Sequence, residues 1–170
     1  MITVVRLFLI GWLLAFASAA MAAQKTAIFP FELIDDSQEG EANGIRADQT
    51  KRLQLITDEL KKLVAENGRY EPVDLTPIMP QILEKQPLYK CNGCEDDLAK
   101  KVGATKALIC TVQKVSNLIL NINVYVRDVN AGKITREFSV DVRGNTDESW
   151  LRSVKYLAKN RLFEDQGATK

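Results

Sequence analysis

Between Leu118 and Val142 the chain twice sets apolar residues at alternate positions. Leu118, Leu120, Ile122, Val124 and Val126 make the first series, and Ile134, Phe138, Val140 and Val142 the second. A period of two is the mark of a strand with one buried face, because successive side chains point to opposite sides of the backbone. Asn130-Ala131-Gly132 lies between the series and reads as a hairpin loop. The other face of the second run is Lys133, Thr135, Glu137, Ser139, Asp141 and Arg143, all polar. This part of a sheet is therefore expected to be antiparallel and covered on one side only. Lys106 to Lys114 reads as a third strand ahead of the pair, with Leu108, Cys110 and Val112 on one face.

An apolar sheet face must be covered, and the rest of the chain supplies the cover. Ala47 to Glu66 carries Leu53, Ile56, Leu60, Leu63 and Val64 at helical spacing, and Asn67-Gly68 stops it. Thr76 to Glu84 reads as a short helix with Thr76 as N-cap and Pro77 at its first position. Glu95 to Val102 reads as another, its acidic first turn matching the positive end of the helix dipole. After Gly144, Asn145 is expected to cap a final helix, with Glu148 at its third position and Trp150, Val154 and Leu157 turned inward. Thr26 to Ile34 is nearly all apolar, as suits a strand covered on both faces, and Pro30 within it implies an edge or a bulge. Tyr70 to Leu75 is a short strand, and Asp35 to Gly44 is expected to be an acidic loop. The order predicts an α/β (α+β) sandwich, a mixed sheet of about five strands ending in an antiparallel three-stranded meander, with helices packed on it.

The first 22 residues read as an address. Arg6 is followed by the apolar run Leu7 to Phe16, and Ala20-Met21-Ala22 fits an A-x-A cleavage site, with Ala23 as the neighbouring alternative. The run falls short of the roughly 20 residues that span a bilayer. Residues 1–22 are thus expected to be a cleaved signal peptide and 23–170 a single periplasmic domain, with no stable membrane insertion after cleavage. Lys plus Arg number 23 against 22 for Asp plus Glu, so no charge excess points to nucleic acid. The chain has no His, which removes the Ser-His and Cys-His nucleophile pairs and the commonest metal ligand.

Three groups of residues are candidates for function. Cys91-x-x-Cys94 precedes a helix, where a thiol is acidified, but Asp96 and Asp97 oppose a thiolate. In an oxidising compartment the pair reads as a structural disulfide, with thiol exchange or metal binding as alternatives. A zinc site needs about four ligands, and Cys110, the other thiol, reads as a buried hydrophobe. Asp35, Asp36, Glu39 and Glu41, and Glu95, Asp96 and Asp97, could hold a hard cation, but they lack the spacing of a calcium loop and read as solvated acids. Asn117, Asn121, Asn123, Tyr125 and Arg127 share the less apolar face of the longest strand. Tyr and Arg are enriched at interfaces, so Asn121, Asn123, Tyr125 and Arg127 are the candidate partner-binding residues.

Beyond these patterns, Gly103-Ala104-Thr105-Lys106-Ala107-Leu108, Val112 to Leu120 and Val126-Arg127-Asp128-Val129-Asn130-Ala131-Gly132-Lys133 resemble a motif of bacterial envelope α/β modules. It is similar to the amino-terminal domain of TolB and to the curli-secretion CsgG and penicillin-binding-protein-activator folds. A closer resemblance is to a domain-of-unknown-function family of exported proteobacterial proteins (DUF3280/DUF2380-like). It rests on Phe29 to Asp35, on Cys91-Asn92-Gly93-Cys94, and on a terminal signature holding Gly144, Asn145, Asp147 and Trp150. The resemblance implies a non-enzymatic periplasmic accessory protein that binds an envelope protein, with no cofactor and no catalytic residues to carry over. A thiol-redox or metal-handling protein using Cys91 and Cys94 is the alternative.

Overall fold

The computed structural model describes residues 23–164. The expected signal peptide, residues 1–22, and the tail beyond 164 lie outside them. In chain order the elements are β1 (Gln24–Ile28), β2 (Glu32–Asp35), α1 (Gln38–Asn43), α2 (Ala47–Asn67), β3 (Tyr70–Pro72), α3 (Met79–Lys85), α4 (Cys94–Lys101), β4 (Lys106–Lys114), β5 (Ile119–Asp128), β6 (Lys133–Arg143) and α5 (Asp147–Leu157). Single 3₁₀ turns, Thr76–Ile78 and Leu88–Lys90, precede α3 and α4. The sheet is six-stranded and mixed, in the order β3-β1-β4-β5-β6, with β2 also beside β4.

The expected first strand is split in two. Ile28 pairs with Leu108 and Glu32 with Thr111, so the first run advances one residue more than β4 does. That extra residue is a bulge around Pro30, which has no amide hydrogen to give the ladder. It turns the face of the run over: Ile28 and Phe31 enter one core, Ala27 and Phe29 the other. The amide of Phe31, freed from the ladder, donates instead to Thr57 Oγ1 on α2 at 3.0 Å.

Two cores follow from this sheet. On one face α2 and α5 pack with Leu60, Trp150, Val154 and Leu157 against Leu108, Val112, Ile122 and Val124. On the other, α3, α4 and the 3₁₀ turns bring Ile82, Leu88 and Leu98 onto Ala27, Phe29, Ala107 and Ile109. The second layer of helices packs on β4 and meets β5 at its end, through the first turn of α4. The antiparallel half of the sheet is left open on that side, as the polar face of the run from Lys133 to Arg143 implied.

Four local expectations are corrected. Ile134 does not share the buried face of Phe138, Val140 and Val142. Arg127 pairs with Ile134 and Val126 with Arg136, so Thr135 is an extra residue in β6 and Ile134 faces the open side, 48% exposed. Leu118 precedes β5 and is exposed. The helix expected from Thr76 starts as a 3₁₀ turn, with Asp74 Oδ1 accepting from the Thr76 amide at 2.9 Å, and α3 proper begins at Met79. The final helix is capped by Thr146 and Ser149, not by Asn145 and Glu148. Thr146 holds the extended conformation a cap requires, its Oγ1 accepts from the Ser149 amide, and the Ser149 hydroxyl accepts from the Thr146 amide.

The terminal signature joins three elements. Gly144 turns the chain out of β6 with φ +88°, a conformation open to Gly. Asn145 donates to Asn117 Oδ1 and accepts from Arg52 Nη1 at 3.0 Å, while Asp147 takes Arg52 Nε at 2.7 Å. Trp150 is fully buried beneath that guanidinium, 6.0 Å from ring to Arg52 Cζ. Trp150→Ala empties the junction of α2, α5 and the sheet and is expected to cost about 3–5 kcal/mol in a urea unfolding titration.

Candidate functional site

Where α4 ends its cover of the sheet, a cleft of about 670 Å³ opens. Its floor is the open face of β4 and β5, with Ile109, Thr111, Tyr125 and Arg127; Ile134 closes one side, and Tyr89 and the Cys91–Cys94 loop close the other. Two of the groups singled out in the sequence, the Cys pair and the strand face, thus share one site.

Arg127 is the centre of the cleft's charge. Its Nε and Nη2 donate to both oxygens of Asp96 at 2.9 and 2.5 Å, its Nη1 lies 3.1 Å from Glu95 Oε1, and Nη2 also donates to the Gly132 carbonyl. The Asp96 carboxylate, ahead of Glu95, holds the guanidinium above its ordinary value. The expectation that Glu95, Asp96 and Asp97 are solvated is corrected for two of them. Glu95 and Asp96 are buried because Arg127 reaches them from the strand, and Asp97, pointing away, remains exposed. A bidentate guanidinium matches paired carboxylates better than any other side chain.

Cys91 and Cys94 form a disulfide, with their Cα atoms 5.5 Å apart. The two residues between them take positive φ, +60° at Asn92 and +113° at Gly93. Glu95 reaches back over this loop: its Oε2 accepts from the Gly93 amide at 3.0 Å and lies 2.9 Å from Cys91 Sγ. A disulfide sulfur carries no hydrogen, so the second approach is a contact and not a hydrogen bond. Among the described residues, Cys91, Cys94 and Glu95 form a group of ligand atoms lying within 4.8 Å of one another, close enough to share an ion. Cys110 is buried on the opposite face of the sheet, where burial pushes its thiol well up.

The remaining strand residues sit differently. Asn121 is tied across to β6, donating to Asp141 Oδ1 at 3.1 Å and accepting from Ser139 Oγ at 2.7 Å. Asn123 faces Thr111, and Tyr125 is half-buried in the cleft beside Ile109, its phenol raised by burial. Glu32, not singled out in the sequence, sets the cleft's rim. Its buried carboxylate accepts from the amides of Leu88 and Tyr89 at 2.9 and 3.2 Å, which fixes Tyr89. Burial raises its pKa in spite of those two bonds.

The acidic stretch from Asp35 to Gly44 is not an open loop. Asp35 closes β2, and α1 follows with Ser37 as its cap. Both are pinned by Lys114, which is fully buried and donates to Asp35 Oδ2 at 3.0 Å and to Glu39 Oε2 at 3.1 Å. Gly40 packs so close to the Asp35 carboxylate that a β-carbon there would overlap it. The sequence held a signal for this lysine: alternation along β4 puts Lys114 on the face of Leu108, Cys110 and Val112, where a charge needs partners.

With the geometry in place, comparison with known proteins identifies the family. A model of the DUF3280 family, described as "Protein of unknown function (DUF2380)", matches residues 24–162. The chain belongs to this family. No curated protein matches the sequence. Among solved structures, the DUF3280 chain is similar to the LpoB C-terminal domain from Salmonella enterica, with a TM-score of 0.52 and 17% identity over 75% of this chain and 87% of that one. It is similar to the PelC dodecamer from Paraburkholderia phytofirmans, at 0.50 and 9% identity over 81% of this chain and 86% of that one. The likeness to TolB from Acinetobacter baumannii, at 0.42 and 13% identity over 80% of this chain and 28% of that one, is too slight to argue from. At these identities the comparisons establish a shared fold.

The Lys114 cluster generates a pH prediction. Hydrogen bonds from Arg46, Lys114 and Asn117 bring Glu39 to about 2. Burial pushes Asp35 up, but bonds from Ser37 and Lys114 outweigh it and leave Asp35 below its usual value. Carboxylates held low in the folded state stabilise it fully above their unfolded pKa values, and that stability is lost as pH falls through the folded ones. The urea midpoint should therefore be level above about pH 5 and fall from about pH 4.5 towards 2. Lys114→Ala leaves Asp35 without its buried cation, should cost about 3–5 kcal/mol at neutral pH, and should flatten the acid limb.

Proposed function

We propose that this protein is an exported, non-enzymatic accessory module of the bacterial envelope that binds a protein partner on the open face of β4, β5 and β6. The observation that carries the reading is the half-covered sheet. Helices cover both faces of the parallel half and one face of the antiparallel half, and the uncovered part runs into the cleft with Tyr125 and exposed Ile134 at its mouth. Tyr125 and Ile134 make a small aromatic and apolar centre, and Asn121, Asn123, Glu137, Ser139 and Asp141 surround it with polar groups, an arrangement suited to a protein interface with a polar rim. Arg127 belongs to this surface as a fixed, internally paired anchor beside Tyr125.

Further support comes from the leader-like residues 1–22 and from the envelope modules that the sequence resembles. No helix among the described residues is long and apolar enough to cross a membrane. That PelC assembles as a dodecamer supports the view that chains of this fold can present their surfaces to other chains. The non-enzymatic reading rests on pairing: Glu95 and Asp96, the cleft's carboxylates, are both held by Arg127, so neither is free to act as a general acid or base. Thiol exchange is disfavoured because Glu95 Oε2 beside Cys91 would oppose a thiolate.

A photo-crosslinking residue at Ile134 or Asn121, expressed in the native cell, should capture one dominant envelope protein. The same residue at Lys62, on the far side in α2, should not. Tyr125→Ala should lower the yield several-fold with an unchanged melting curve. Equal capture from both faces would overturn the proposed surface. Amino-terminal sequencing of the cellular protein should begin at Ala23, or one residue later, and an uncut Met1 would overturn the proposed export.

A further inference from the structure

The Cys91–Cys94 loop has a second chemistry that the disulfide conceals. We infer that, once reduced, it is a binding site for a thiophilic divalent cation, Zn²⁺ or Cd²⁺, with Glu95 as the third protein ligand and the fourth position open to the cleft.

The donors are already gathered. The ligand atoms of Cys91, Cys94 and Glu95 lie within 4.8 Å of one another, and metal–sulfur bonds of about 2.3 Å in a tetrahedral site set two sulfurs roughly 3.8 Å apart, a separation this pair takes up only once the bond between its sulfurs is broken. The Glu95 carboxylate is oriented by an outer partner, as metal-binding carboxylates commonly are. Its Oε1 is held by Arg127 at 3.1 Å, which leaves Oε2 directed at Cys91 Sγ at 2.9 Å. In the oxidised form that oxygen only crowds a sulfur. A cation between the two would turn the contact into coordination.

Charge acts in the same direction. Two buried carboxylates, Glu95 and Asp96, face one guanidinium, so the loop carries a net negative charge even before the thiols ionise. The carboxylate that disfavours a free thiolate favours a cation beside it. The donor set of two sulfurs and one oxygen, with no His in the chain, suits a borderline or soft metal over Ca²⁺ or Mg²⁺.

Reduction balances with a dithiol reductant. The reductant's two thiols become its own disulfide, the Cys91–Cys94 bond takes the two electrons, and the two sulfurs take the two protons. The incoming cation then displaces both protons to solvent. The fold should survive the change, because a disulfide closing so short a loop removes little conformational freedom from the unfolded chain.

The test is direct. The purified protein is reduced with a dithiol, desalted without air, checked for its fold by circular dichroism, and titrated with Cd²⁺ while thiolate-to-metal charge-transfer absorption is followed. One equivalent should saturate the signal, Zn²⁺ should compete it away, and the oxidised protein should give none. Cys94→Ser should abolish it, Glu95→Gln should weaken the affinity at least tenfold, and Asp97→Asn should leave it unchanged. A folded, reduced protein that gives no signal would overturn the site. A Glu95→Gln variant that binds as tightly as the parent would overturn the role of the carboxylate.

Discussion

Strand β4 has to serve two cores at once, and the architecture follows from how it does so. It is parallel to β1 and β2 on one side and antiparallel to β5 on the other. Helices cover one face throughout and the other only about Ala107 and Ile109, beyond which Thr111 lines the cleft and Gln113 is exposed. The fully covered face can carry almost nothing polar. Its one buried charge, Lys114, is the last residue, where the strand ends beneath α1. Asp35 and Glu39 exist in that geometry to meet it, and α1 is ordered by the meeting. The opposite arrangement holds at the cleft, where two acids belong to the helix and the cation comes from the strand. In both places the desolvation of the charges is offset by close, multiple hydrogen bonds.

The cleft is a consequence of where the second layer stops. Helices α3 and α4 are short and cover the sheet only as far as β4, so α4 meets the open face with its first turn. That turn carries the disulfide loop, Glu95 and Asp96. The stretch Cys91 to Asp96 therefore terminates the layer and forms the wall of the site, and its two acids hold Arg127, so the Cys pair and Arg127 on the strand face meet in one place.

Much of the architecture was legible because it depends on period. The two alternating runs, the stripe on α2 and the inward residues of α5 each follow from local sequence, and the structure has them. The failures share a cause: each turns on a single residue that shifts a register or a partner. Pro30 and Thr135 are the extra residues of bulges, and alternation read across a bulge assigns the residues beyond it to the wrong face, as happened with Ile134. Asn145 resembled a cap by type, but its amide was wanted by Asn117 and Arg52, which are distant in sequence. The solvated reading of Glu95, Asp96, Asp35 and Glu39 failed in the same way, since their cations arrive from other strands. Lys114 could have been found from its place in the alternation; the convergence of Arg127 on Glu95 could not.

Among the described residues β6 ends the sheet, and its outer backbone groups are unpaired. A second chain adding there as a strand would meet the extra residue at Thr135, whose hydroxyl is turned inward to the Val126 carbonyl. The edge is thereby divided into a straight stretch, Arg136 to Arg143, and a short offset one. Regular pairing can extend along the first only, and the charged residues that flank it limit uncontrolled stacking of one sheet on the next. The bulge that moved Ile134 to the open face thus also sets the length of this edge of the sheet.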